Sequence, residues 1–285
     1  MSKNKARIEA KIKTFIKNII WKFISDKDGF SNVKVLRGPA KGARLRLDIR
    51  KGGSYWLGNY DQWIFDRVPL QKILKPDWVI WDCGAYVGYY TAVFRKIISD
   101  KGKIFTFEAA SNNYNMVKVI PELNNWKNVS ILNLAVGPDH STIKFVNNLG
   151  GSNGPYGLAK DYGAEESKLE VEEVTCCGVD ELVYEKNIDA PDFIKFDLET
   201  AEEFALHNGD RVFTNKRPII MLELHGQKAL EAAGQFLEKY HYSSHLVWDM
   251  PDAKKEYHSL SDLLALGFVP HMIYCKPKMP PSLSE

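Results

Sequence analysis

The stretch "VIWDCGAYVGYYTAVF", Val79 to Phe94, changes its period at the middle. Trp78 to Trp81 are apolar and partly β-branched, as in a strand buried on both faces of a parallel sheet. From Gly88 onward Tyr89, Tyr90, Val93, Phe94 and Ile97 recur at helical spacing, so Asp82, Gly84 and Gly88 fall in a strand-to-helix turn. Open α/β sheets bind their ligands above such turns.

Outward from this turn the chain alternates. Strands are predicted near residues 103–108, 129–136, 192–197 and 217–224, with helical or irregular segments between them. A helix over Lys228 to Tyr240 and the segments Ser243 to Trp248 and Val269 to Cys275 close the sheet with an antiparallel pair. On the N-terminal side, Val33 to Leu36 and Leu45 to Ile49 flank "RGPAKGAR" as a hairpin, and a helix is predicted over Asp61 to Leu74. Asn147 to Lys168 holds five glycines and few apolar residues, which reads as a long loop or lid. The expected organisation is a basic helix in residues 1–30, a hairpin-and-helix extension in 31–76 and a catalytic domain in 77–278.

Of the 285 residues 45% are hydrophobic and 26% charged, enough apolar content for a large core. Residues 1–30 carry eight Lys/Arg against three Asp/Glu, and the remainder is slightly acidic, 30 against 33. A nucleic-acid partner is therefore not expected, because such affinity comes from many cationic contacts. Ile8, Ile12, Phe15, Ile16, Ile19 and Phe23 share one face of a basic amphipathic helix over residues 4–25, suited to an anionic membrane surface or a partner groove. With no long apolar run or signal-peptide pattern, a cytoplasmic location, peripheral to a membrane through that helix, is expected. Cys83, Cys176, Cys177 and Cys275 have neither paired metal-site spacing nor disulfide density, and read as buried thiols.

The glycine spacing constrains the ligand. A dinucleotide site uses the middle glycine of G-x-G-x-x-G to admit a pyrophosphate, and that glycine is missing here. Asp82 would repel a pyrophosphate and favour a cationic or amino-bearing group. The next strand, "KIFTFEAA", ends in Glu108, 20 residues past Gly88, where an acid suits the two hydroxyls of a ribose. A ribose, no pyrophosphate and tolerance of negative charge describe S-adenosylmethionine.

Five blocks stand in order: "WDCGAYVGYYTAVF", "IFTFEAASNNYNMV", "NLAVG", "PDFIKFDLETAEEFALHNG" and "RPIIMLELHG". Together they resemble the FkbM family of S-adenosylmethionine-dependent O-methyltransferases, over roughly residues 55–240. The resemblance implies an α/β fold with a doubly wound, mostly parallel seven-stranded sheet. It places the cofactor at Asp82, Gly84, Gly88 and Glu108, with Ala85, Tyr86 and Ala109 beside them. It also implies an acceptor hydroxyl on a sugar, glycan or polyketide-like metabolite. Two positions depart from the family pattern: Thr200 replaces the glycine of D-x-E-G-x-E, and Tyr86 replaces a small amide.

Alternate residues of a strand share a face, which groups Lys195 with Asp197 and Glu223 with His225, with Glu199 just beyond. Four polar groups in otherwise apolar strands need partners or a function. Methyl transfer to an alcohol requires in-line placement of the oxygen and removal of its proton, for which His225 is the expected base and Asp197 or Glu199 the orienting acid. A Lys195–Glu223 ion pair serving only as scaffold is the plainer reading of that pair. A divalent cation on Asp197, Glu199, Glu223 and His225 is a further reading, set second because no tight ligand spacing marks it. The competing functions are a catalytically silent methyltransferase-like binding module and a nicotinamide-dependent oxidoreductase.

Overall fold

The computed structural model describes residues 25–149, 152–155, 170–252 and 254–278. The amphipathic helix expected over residues 4–25 falls, but for its last residue, outside them.

In chain order the strands are β1 (Ser31–Lys34), β2 (Arg44–Leu47), β3 (Val79–Cys83), β4 (Lys103–Phe107), β5 (Val129–Leu132), β6 (Ala135–Val136), β7 (Ser141–Leu149), β8 (Ser152–Pro155), β9 (Glu170–Cys177), β10 (Phe193–Phe196), β11 (Ile219–Glu223), β12 (Tyr242–Leu246) and β13 (Met272–Pro277). Seven of them form the central sheet in the order β12-β13-β11-β10-β3-β4-β5. Only β13 runs antiparallel to its neighbours. This is the doubly wound, mostly parallel sheet that the sequence predicts. The strand order reverses beside β3, so the turn after Cys83 lies where an open sheet leaves a crevice.

Each face of the sheet has its own apolar layer. Ile80 of β3 packs with Tyr90, Phe94, Phe193 and the Leu45 and Leu47 side chains of the hairpin. Trp81 and Cys83 point to the opposite layer with Ile194, Phe196, Leu222 and the helix Gln227–Lys239. Alternation therefore sends Asp82 toward the first layer, against the helix Tyr89–Ile97. The hairpin is present as predicted, with β1 and β2 antiparallel.

Three expectations need correction. The helix predicted over Asp61 to Leu74 is two helices, Gln62–Arg67 and Leu70–Ile73. Pro69 causes the break: Val68 before it is extended, at φ −91 and ψ 106. The strand predicted over 129–136 is interrupted at Asn133, whose amide donates to the carbonyls of Glu108 and Ala109, and β6 leaves the central sheet to pair with β9. Lastly, the described part of the expected Asn147–Lys168 loop is strand, in β7 and β8. A second sheet, β6-β9-β7-β8, covers this side of the molecule. The alternation of Ile143 and Phe145 carried its signal, but the charged run Glu170 to Glu173 hid the partner strand.

Candidate active site

Above the carboxyl ends of β3, β4 and β10 opens a cavity of about 1360 Å³, large enough for a nucleoside cofactor and an acceptor together. Gly84, Tyr86, Glu108 and Ala109 line one end; Asp197, Glu199, Thr200 and His225 line the other. Tyr55 and Tyr60 enter from the N-terminal extension, and Ile143 and Phe145 from the second sheet.

The cofactor end is shaped by backbone. Gly84 has φ +83, and a Cβ on it would stand 1.8 Å from the Asp197 carbonyl oxygen, so only glycine lets the two loops meet. Gly88, at φ +72, is closed in by Val117 and Ile120. It packs the turn and does not line the cavity, and neither does Ala85. Tyr86 also takes a left-handed conformation, φ 51, which explains why a small amide suits this position, and its ring lies 5.7 Å from that of Tyr55. Glu108 is buried in the wall. Its Oε2 accepts from the Tyr86 backbone N–H at 2.7 Å, and its Oε1 from Ala110 N–H at 3.0 Å and Asn113 Nδ2 at 3.3 Å. Burial pushes this carboxyl up to about 7 against the pull of those donors.

Asp82 is not in the cavity. It is wholly buried beneath it, where Oδ2 accepts from Thr91 Oγ1 at 2.6 Å and Oδ1 lies 3.8 Å from Lys195 Nζ. Burial raises its pKa despite the nearby ammonium. Its contact with the cofactor, expected from sequence, is thereby replaced by support of the turn from below. The β3–β10 register pairs Lys195 with Asp82, and the β10–β11 register pairs it with Met221. The Lys195–Glu223 pair considered from sequence is therefore not what forms. Lys195 instead donates to Asp197 Oδ2 at 3.0 Å and to the Gly84 carbonyl at 3.1 Å. Burial opposes its charge, yet Asp197, Asp82 and Glu223 hold its pKa above that of an ordinary lysine.

At the other end β10 and β11 bring Asp197, Glu199, Glu223 and His225 together, as alternation predicted. A residue left out of the expected set completes the cluster: Glu202, fully buried, places Oε1 2.8 Å from His225 Nδ1. His225 Nε2 faces Glu223 Oε1 at 3.4 Å, Glu199 Oε2 at 3.8 Å and Asp197 Oδ1 at 4.0 Å. Burial works against an imidazolium, but hydrogen bonding to Glu202 and Glu223 raises the ring to about 11. With no cation in the cluster, the two acids bonded to the ring favour its protonated form, which weighs against the role of base expected for it. Glu199 is pushed up to about 7, by burial first and then by the other carboxylates, against the pull of His225. Glu199 and Thr200 are both left-handed, at φ 50 and φ 84. Thr200 thus keeps a conformation that suits glycine, at the cost of strain in a β-branched residue.

Glu202 had a visible signal, since Asp197, Glu199 and Glu202 put three acids within six residues. Asp61 had none: it sits near the cluster through a 2.9 Å bond from Tyr90 Oη, from a segment far away in sequence.

The profile of the family described as "Methyltransferase FkbM domain" matches residues 82–246, more than half of the chain, and the chain belongs to this family. The matched domain is a methyltransferase domain, in line with the S-adenosylmethionine cofactor expected from the sequence. The nicotinamide reading is thereby set aside. No curated protein matches the chain significantly. Among solved structures it is similar to the methyltransferase FkbM of Methylobacillus flagellatus, at 14% identity and a TM-score of 0.46, covering 95% of this chain and 60% of that one. The chain thus spans about three fifths of that protein's length. It is also similar to an O-methyltransferase of Bacillus cereus in complex with SAH (15% identity, 76% and 80% coverage, TM-score 0.40) and to M. jannaschii TYW2 in complex with AdoMet (15%, 82% and 80%, 0.40). The assignment rests on the family match and on the site. The backbone cradle at Gly84 and the acid of Glu108 in the cavity wall fit a nucleoside ligand.

Among the described residues, no helix is long and apolar enough to cross a membrane.

Proposed function

We propose that the chain transfers a methyl group from S-adenosylmethionine to a hydroxyl oxygen of a sugar, glycan or polyketide-like metabolite, with Glu108 holding the ribose and the 197–202 loop serving the acceptor. The observation that carries this reading is the contact between the two ends of the site. Gly84 of the cofactor turn touches the Asp197 carbonyl, so the acid loop stands directly beside the cofactor.

When bound, the cofactor supplies a methyl group on a positively charged sulfur. The protein has to align the acceptor oxygen with it and take the hydroxyl proton as the O–C bond forms and the S–C bond breaks. Glu199, at the rim with a side chain 44% exposed, has a carboxylate free to reach an incoming hydroxyl and serves as that base. Asp197, fixed by Lys195 through one oxygen, orients the hydroxyl with the other. Tyr55, Tyr60 and Tyr86, their rings tilted against one another, provide an aromatic wall for the body of the acceptor. The same reading puts the enzyme in the cytoplasm, which the four free, buried cysteines support.

Mass spectrometry of a glycan and metabolite pool incubated with the protein and isotope-labelled cofactor tests the reaction. One added methyl per acceptor, stable to mild base as an ether, is expected. Methylation only on nitrogen, carbon or carboxyl groups would refute oxygen transfer. In Glu199→Gln turnover should fall by about 10² to 10⁴, as for a lost general base.

A further inference from the structure

We infer that Asp197, Glu223 and His225 form a binding site for one divalent cation of the manganese type. One ligand atom from each of the three lies within 4.8 Å of the others. Ligands bonded to an ion at about 2.1 Å stand roughly 3.4 Å apart in tetrahedral and about 3.0 Å apart in octahedral geometry. The 3.4 Å between His225 Nε2 and Glu223 Oε1 is already such an edge, and the 4.0 Å to Asp197 Oδ1 needs only a side-chain adjustment. Two carboxylates and one imidazole are a donor set for manganese or iron more than for calcium.

An independent feature aims the imidazole. Glu202 is fully buried, receives His225 Nδ1 at 2.8 Å and leaves its own Oε2 without a partner. A carboxylate on the far nitrogen is the usual outer support of a metal-binding histidine, because it fixes the ring and directs the other nitrogen at the ion. Here that nitrogen faces three carboxylates. Lys195 takes Asp197 Oδ2 and leaves Oδ1 toward the histidine. Charge points the same way: four carboxylates lie within 4.0 Å of His225, and among the described residues the cations facing them are Lys195, on Asp197, and, when protonated, His271, 3.5 Å from Glu223 Oε1. Placed there, the ion would hold the acceptor oxygen and favour its alkoxide, a role that rests on the methyl-transfer reading. Binding of the ion does not rest on it.

The experiment is a titration of the full chain, freed of metal by chelator, with manganese(II), following loss of the free-ion paramagnetic resonance signal. One saturable ion per chain is expected. His225→Asn and Glu223→Gln should each weaken it at least tenfold, and Glu202→Gln by about 10- to 100-fold through loss of the outer support. Circular dichroism and S-adenosylhomocysteine calorimetry, run without metal, establish that the variants are folded and report separately on the cofactor site. No saturable site in the wild type, or unchanged affinity in folded His225→Asn and Glu223→Gln, overturns the inference even if the cofactor binds normally.

Discussion

At the cofactor end Glu108 has three donors for its two oxygens, whereas at the acceptor end His225 has four carboxylates for its two nitrogens. The first arrangement is nearly self-sufficient: backbone N–H groups of the turn hold one acid in the wall, and the ligand adds to a finished structure. In the second, four carboxylates share the His225 ring, with Lys195 on Asp197 and His271 on Glu223 as the further cationic partners, a surplus of acids that a cation or reacting group would relieve. On the proposed reading, recognition is built from backbone geometry, and chemistry from a surplus of acids. Lys195 joins the two ends through its bonds to the Gly84 carbonyl and the Asp197 carboxylate.

The strongest way to break the comparison is at their contact. Gly84→Ala puts a Cβ 1.8 Å from the Asp197 carbonyl oxygen in a left-handed conformation, with no flexible atom to give way. We expect a loss of about 4 kcal/mol or more in stability, read by urea unfolding. A near wild-type midpoint would mean that the two loops are not in contact. Lys195→Met should cost about 3 to 5 kcal/mol, because it leaves Asp82 and Asp197 without their buried partner.

At the cofactor end alone, Glu108→Ala should weaken S-adenosylhomocysteine binding at least tenfold in calorimetry, the loss of a charge-assisted bond of about 1.5 to 3 kcal/mol. The pH dependence sharpens this. Glu108 titrates near 7 in the folded protein, above its ordinary 4.5. The folded chain then holds this proton more tightly than the unfolded chain. Its contribution to stability is full below 4.5 and is lost as pH rises through 7. Ligand affinity should run the other way, rising between pH 6 and 8 as the carboxylate ionises, and Glu108→Gln should abolish both trends. Parallel titrations of wild type and variant decide the matter; identical pH profiles would clear Glu108 of the effect.

The smallest effect is expected at Thr200. With φ 84 it bears strain that glycine would not, so Thr200→Gly should raise stability by roughly 0.5 to 1 kcal/mol after the entropy penalty of glycine. A loss of stability would show that the threonine side chain contributes more than its backbone costs.

The sequence by itself determined the sheet, the turn and the polar residues at the strand ends. Period-two alternation, helical spacing and left-handed glycines are local properties, legible wherever a few consecutive residues share one environment. The glycine turn at 84–88 and the acid tip at 108 could be read for that reason, as could the grouping of Asp197 and Glu223 at adjoining strand ends. What only the tertiary structure decided is which of these groups touch. Asp82 and Lys195 are 113 residues apart, and a parallel register set by packing placed them side by side. The same packing took Asp82 out of the cavity, put Glu202 behind His225 and brought β7 and β9 together across a sheet the sequence had not shown. Partner choice between distant strands depends on how two apolar layers fit across the sheet, and no run of neighbouring residues encodes that fit.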